Sequence, residues 1–168
     1  MTEAALGRQA SEAALNLLQH FEQGPNGGFS PVVYHDWAGH PTIGWGHVVR
    51  PGERFQQPIS AAEASRLLTE DVARIVPSIA AALRNRPELT QSMFDAICCW
   101  AFNVGLGAAL GSTLMARLKS RDWQAAADQF LRWDKATNPK TGKKERLAGL
   151  TRRRQAEREL FLREGLPG

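Results

Sequence analysis

Two acidic side chains near the start of the chain stand in surroundings suited to hydrolytic chemistry. Glu22 closes LLQHFEQ, directly after an aromatic residue, and Asp36 sits in YHDWAG, at a turn between β-prone segments. Cleaving a glycosidic bond calls for such a pair: one protonated acid for the leaving oxygen, and one carboxylate that activates water or attacks the sugar. Both residues also suit plainer roles, Glu22 at a helix end and Asp36 at the start of a turn, and spacing alone leaves both readings open. Four histidines, His20, His35, His40 and His47, raise a metal-hydrolase alternative, but neither HExxH nor paired CxxC spacing is present. Cys98 and Cys99 are adjacent, a geometry unfavourable to a disulfide, and read as two buried thiols. No metal and no cofactor are expected.

The elements that must hold these residues follow from periodicity and punctuation. Ala14, Leu15, Leu17, Leu18 and Phe21 recur at spacings of three and four and predict an amphipathic helix over 11–21. QGPNGGFSP is turn and loop. Val32, Val33 and Tyr34, then residues 41–45, are β-prone pieces around Ala38, Gly39 and His40, and predict a small antiparallel hairpin. Ser60 with Glu63 is a capping box opening a helix that should run toward Pro77. Beyond it the chain reads as almost wholly helical. Thr90 can cap a helix apolar on nearly every side, Gly105, Gly107 and Gly111 break it, and Ser112 and Asp122 can cap two successors, the second running to Trp133. A basic loop, NPKTGKK, leads to a last helix over about 147–163. That helix should turn Leu147, Leu150, Ala156, Leu160 and Phe161 inward and Arg152, Arg153, Arg154 and Arg158 mostly outward. The five tryptophans read as core or cleft-edge residues.

Length and composition restrict the possibilities further. With 168 residues, 43% hydrophobic and 23% charged, the chain fits one soluble domain, and disorder, collagen and coiled coil are excluded. The longest apolar run, residues 96–102, is far short of the roughly 20 residues needed to cross a bilayer. The opening MTEAALGRQA has neither the basic start nor the apolar core of an export signal, so synthesis and retention in the cytosol are expected. The net charge of +4 is uneven: residues 1–112 carry 7 basic and 10 acidic side chains, residues 113–168 carry 14 and 7. Such an excess favours approach to a polyanion. No nucleic-acid fold signature accompanies it, and nucleic acid is not an expected partner.

Taken in order, LLQHFEQ, YHDWAGHPTIGWGH, the capped helix with TEDV, CWAFNVGLGAALGSTL, QFLRW and GLTRRRQAERELF resemble the phage-type lysozymes of glycoside hydrolase family 24. The resemblance covers about residues 15–162. It implies an α+β, mainly α, lysozyme-like fold: one domain over 1–168, with a small hairpin lobe at about 12–59, a connecting helix at 60–76 and a helical lobe at 77–168. It implies catalytic roles for Glu22, Asp36 and Thr42, with Glu22 as general acid in an apolar setting and Asp36 and Thr42 holding the attacking water with inversion. Phe102, Asn103, Thr113 and Asn138 fall at positions implied to meet sugar, although Phe102 also suits core packing. His47 would face Asp71 in a structural pair. The implied substrate is the β-1,4 bond between N-acetylmuramic acid and N-acetylglucosamine of peptidoglycan. A monomer kept in a host cytoplasm until a holin-type membrane protein admits it to the wall is expected. This chain departs from the family by a Gly-rich insertion around residues 26–30, and by Gln23 after Glu22 where Gly is common.

Overall fold

Helix α1, Glu12–Phe21, buries Ala14 and Leu18, one turn apart, and delivers Glu22 just past its last residue. The computed structural model describes residues 7–168; the first six residues, part of the segment read for an export signal, lie outside them. The described chain divides into two units, Glu12–Arg74 and Ile75–Gly168 with residues 7–11.

In the first unit, strands β1 (Ser30–His35), β2 (Pro41–Gly44) and β3 (His47–Val48) form an antiparallel sheet in the order β1-β2-β3. The expected hairpin is present, and a third strand extends it. Gly44 and Gly46 both take positive φ, so the chain reverses around Trp45 and pairs Thr42 with Val48 and Ile43 with His47. The insertion before β1 is closed by backbone bonds from Gly24 N to Gly28 O at 2.7 Å and from Gly27 N to Gly24 O at 3.1 Å. Gly24 is required here, because a Cβ on it would stand 3.0 Å from Ser30 Cβ. Ile43, Ile59, Ala64 and Leu67 make the unit's core, flanked by Phe29, Val33, Trp45, Val49 and Phe55.

Helix α2, Ala61–Ala82, does not stop at Pro77 but continues through it. A mid-helix proline removes one hydrogen bond and crowds the carbonyl four residues back, costing about 3 kcal/mol. Val76, Ile79, Ala80 and Leu83 are all buried around it, and that apolar burial outweighs the local penalty.

The second unit is built on α3, Gln91–Val104, capped by Thr90, whose Oγ1 accepts from Met93 N at 3.2 Å. Residues 92–101 of α3 are all buried, Cys98 and Cys99 included as free thiols that burial pushes well above the usual thiol pKa. Helices α4 (Leu106–Leu110), α5 (Thr113–Lys119) and α6 (Trp123–Gln129) follow, with Ser112 and Asp122 capping the last two as expected. A 3-10 turn at Phe130–Arg132 precedes β4 (Lys135–Thr137), β5 (Lys144–Arg146) and α7 (Ala148–Leu162).

Three expectations are corrected here. The chain beyond α2 is not almost wholly helical: NPKTGKK is a loop as expected over residues 138–143, but it joins an antiparallel β4–β5 ribbon whose second strand opens at Lys144. Asn138 folds the turn, its Oδ1 accepting from Lys140 N at 2.9 Å and its N donating to Lys143 O at 2.8 Å, with Gly142 at φ +68. The arginines of α7 do not all face water either. Arg153 and Arg154 are buried, because Glu157 lies buried one turn later, 3.4 Å from Arg153 Nε and 3.0 Å from Arg154 Nε. Leu147, expected inward, is 45% exposed just ahead of the helix start. Removing Glu157 strands two buried cations. Glu157→Ala should therefore cost about 3–5 kcal/mol in chemical denaturation, against less than about 0.5 kcal/mol for Glu159→Ala on the exposed face.

Candidate active site

Glu22, Asp36 and Thr42 all belong to the first unit, on three neighbouring pieces of backbone. Glu22 is held by its N–H to Leu18 O at 2.7 Å, the last turn of α1. Its carboxyl lies against the β2–β3 reversal: a Cβ on Gly46 would stand 3.0 Å from Glu22 Oε2 and 3.7 Å from its Cδ. Gly46 also takes φ +77, where L side chains are strained. The second glycine of TIGWGH therefore serves both the reversal and the seat of Glu22.

Asp36 sits at the head of the β1–β2 turn, where it is fixed by four bonds. Its N donates to His40 O at 3.0 Å and its carbonyl accepts from Gly39 N at 2.9 Å; its Oδ1 accepts from Ala38 N at 2.9 Å and His40 N at 2.8 Å. His40 Nδ1 stands 3.4 Å from Oδ2. The His40 N–H above all, then the Ala38 N–H and the His40 ring, hold the Asp36 carboxyl below the usual carboxylate range against an opposing desolvation. Thr42, on β2 opposite Tyr34, is buried and donates its hydroxyl to His40 O at 3.0 Å. Its proton is committed to the backbone, and its lone pairs are left to accept from a water.

Tyr34 belongs to this group and was missed in the sequence. Burial raises its phenol pKa first, and the charges of Glu22 and then Asp36 raise it further, so the ring stands in the field of both carboxylates. The signal was present, since residues 34 and 36 fall on one face at the strand's period of two. Trp37, one residue past Asp36, is 87% exposed and belongs to no core.

His47 is almost fully buried. Its Nδ1 lies 2.8 Å from Asp71 Oδ2, as expected, and its Nε2 lies 2.9 Å from Glu53 Oε2, a partner the sequence did not reveal. Arg50 ties the two carboxylates together, with N donating to Glu53 at 2.8 Å and Nη2 to Asp71 at 3.1 Å. This network locks β3 to α2 and fixes the Gly46 reversal beside Glu22.

The other candidates lie in the second unit. Phe102 is half-buried and Asn103 exposed at the end of α3, where Asn103 Oδ1 accepts from Arg154 Nη2 at 2.6 Å. Thr113 is exposed at the start of α5, and Asn138 is engaged in its own turn, donating to Glu145 Oε2 at 3.0 Å. Among the described residues no cluster of three or more His, Cys, Asp or Glu could hold a metal ion.

A carboxyl at a helix end, a second in a sheet turn and a threonine on the adjacent strand thus stand in a mainly helical α+β frame. The chain belongs to the phage lysozyme family, whose model matches residues 25–157. It is 38% identical over 155 residues to the endolysin of Bacillus phage B103, covering 90% of this chain but only 53%, about half, of that relative. The solved endolysin from Escherichia coli O157:H7 phage FAHEc1 is similar with a TM-score of 0.82 at 30% identity, covering 96% of this chain and 98% of that one. The muramidase domain of SpmX from Asticaccaulis excentricus gives a TM-score of 0.76 at 30% identity, covering 92% and 98%.

The geometry yields three expected outcomes. Gly46→Ala should lower kcat/KM at least tenfold through displacement of Glu22, while the left-handed backbone costs only about 1–2 kcal/mol of stability; wild-type kinetics in this variant would show that Glu22 needs no such seat. Replacing His47 by Ala should cost about 2 kcal/mol and lower kcat/KM by less than Gly46→Ala does, since Gly46 and the end of α1 that hold Glu22 are unchanged. The Glu53 carboxyl is lowered by the Arg50 N–H first and by His47 after it. Its contribution is present above the ordinary carboxylate pKa and lost as pH falls through the lowered value. Glu53→Gln should accordingly flatten the fall of Tm in acid.

Proposed function

We propose that this chain is a peptidoglycan-cleaving muramidase, hydrolysing the β-1,4 bond between N-acetylmuramic acid and N-acetylglucosamine to lyse a host cell. The observation that carries the reading is a carboxyl seated on bare backbone at Gly46 together with a second carboxyl kept ionised in the β1–β2 turn, both acting on Tyr34. Family membership and the printed names of the relatives, endolysin and muramidase domain, support the same substrate.

Glu22 gives its proton to the leaving glycosidic oxygen. Asp36 stays ionised, and its Oδ2, free of the backbone bonds that occupy Oδ1, draws a proton from the attacking water while Thr42 Oγ1 positions that water. Water then adds on the face opposite the departing sugar and the anomeric configuration inverts. Phe102 and Asn103 contact bound glycan, Phe102 through its half-exposed ring and Asn103 through the amide N–H2 left outward once Arg154 has claimed its oxygen. Thr113 and Asn138 are secondary contacts. No metal or cofactor takes part in this reading.

Among the described residues no helix is long and apolar enough to cross a membrane. A monomer held in the host cytoplasm, which reaches the wall only after a holin-type protein opens the membrane, fits this reading.

Glu22→Gln should fold with an unchanged Tm and lose wall clearing by at least about a thousandfold, in line with removal of a general acid. Digestion of purified peptidoglycan by the wild type should yield new reducing ends at muramic acid, with the α-anomer first formed. Anhydro-muramic products would replace hydrolysis with transglycosylation, and a β-anomer would replace inversion with a covalent route.

A further inference from the structure

Basic side chains in the second unit are of two kinds. Five arginines are held by an acidic partner: Arg117 by Asp122, Arg121 by Glu88, Arg158 by Asp128, and the buried pair by Glu157. The lysines of the β4–β5 ribbon are not. Among the described residues Lys135, Lys140, Lys143 and Lys144 form no ion pair, and all four are exposed.

The register makes this more than a scatter of surface charge. Lys135 is directly opposite Arg146 and Thr137 opposite Lys144, so Lys135, Lys144 and Arg146 share one face, with Lys140 and Lys143 at the turn. Like charges directly opposite one another destabilise an antiparallel pair. Only Arg146 is offset, by Asp134 at 2.7 Å from its Nε. Every residue of β5 is exposed, so no core packing demands this pattern. A cationic face that no packing requires, held in register by an ordered turn, points to a ligand.

We infer that this ribbon face binds a phosphodiester polymer of the cell envelope, a polyol-phosphate chain attached to the wall, and so holds the enzyme at its substrate between cleavages. Lys135 and Lys144, both without an ion pair, are diagonal neighbours across the ribbon, about 7–8 Å apart, comparable to one repeat of a short polyol phosphate. Successive phosphates of one chain can thus meet successive cations. Nucleic acid is a poorer fit, since residues 134–147 contain no aromatic side chain on which a base could stack. A bilayer is also a poorer fit, because the turn at residues 138–142 offers no large apolar side chain for insertion. The inference rests on the wall-cleaving reading only for where the polymer is met.

The test compares the wild type with a ribbon variant, Lys135→Gln with Lys143→Gln and Lys144→Gln, and with a charge-matched control, Arg84→Gln with Lys119→Gln and Arg132→Gln. The probe is purified poly(glycerol phosphate) on beads, with phosphatidylglycerol vesicles and single-stranded DNA as further arms. Wild type and control should bind the polymer alike and the ribbon variant at least tenfold more weakly, with a salt slope shallower by about 2, since each phosphate contact contributes about 0.7. On intact walls carrying the polymer the ribbon variant should cleave more slowly, and on walls stripped of it by hydrofluoric acid it should match the wild type. Equal loss in control and ribbon variants, or wild-type binding to vesicles or DNA as tight as to the polymer, would overturn the inference. Loss of cleavage on stripped walls in the wild type itself would strike the muramidase reading and leave polymer binding standing.

Discussion

The Glu22 carboxyl rests where a side chain would otherwise be, and much of the first unit follows from that approach. A Cβ at this reversal would crowd the carboxylate oxygen at 3.0 Å, and the positive φ there strains any L side chain. Gly46 meets both demands. It also forces the chain back on itself after β2, which is why the sheet has a third strand and why His47 arrives next to α2. The seat for the carboxyl and the topology of the sheet are one constraint.

A reversal built on two glycines is intrinsically loose, since glycine gives up more conformational freedom on folding than any other residue. The His47 network supplies the missing rigidity. A nearly inaccessible imidazole with a carboxylate at each nitrogen, both tied to Arg50, fixes β3 from one side while α1 holds Glu22 from the other. Asp36 is fixed differently, by N–H groups of its own turn, and those same donors keep it charged. The two carboxyls are thus placed by different physics: Glu22 by shape and the absence of a side chain, Asp36 by hydrogen bonds that select its ionised form.

Local signals explain what could be read from the sequence. Thr90, Ser112 and Asp122 cap the helices they precede because a cap depends on residues within three positions of it. The hairpin and the His47–Asp71 pair were legible through a string of motifs in order, far stronger together than apart. Pro77 misled because its cost is local while the burial of Ile79 and Leu83 that overrides it is not. Glu53 carried no signal at all: six residues from His47 across a loop, its role exists only once the chain has turned. The β4–β5 ribbon was hidden for a related reason, since polar exposed strands lack the apolar alternation by which a strand is recognised.

Charge was the property least legible from sequence, and the reason is physical. RRRQAER and NPKTGKK look alike as basic runs, yet they end in opposite environments. In α7 a glutamate one turn on lets two guanidiniums leave water, since planar, weakly hydrated groups with directed donors tolerate burial when paired. Lysine, a compact and strongly hydrated point charge, has no such route, and the ribbon lysines stay in solvent without an ion pair. Of the excess that residues 113–168 carry, the arginine part is therefore largely tied up in the fold's own ion pairs. The part available to an outside partner is concentrated on the ribbon, where the backbone register and not the count of charges decides what it can meet.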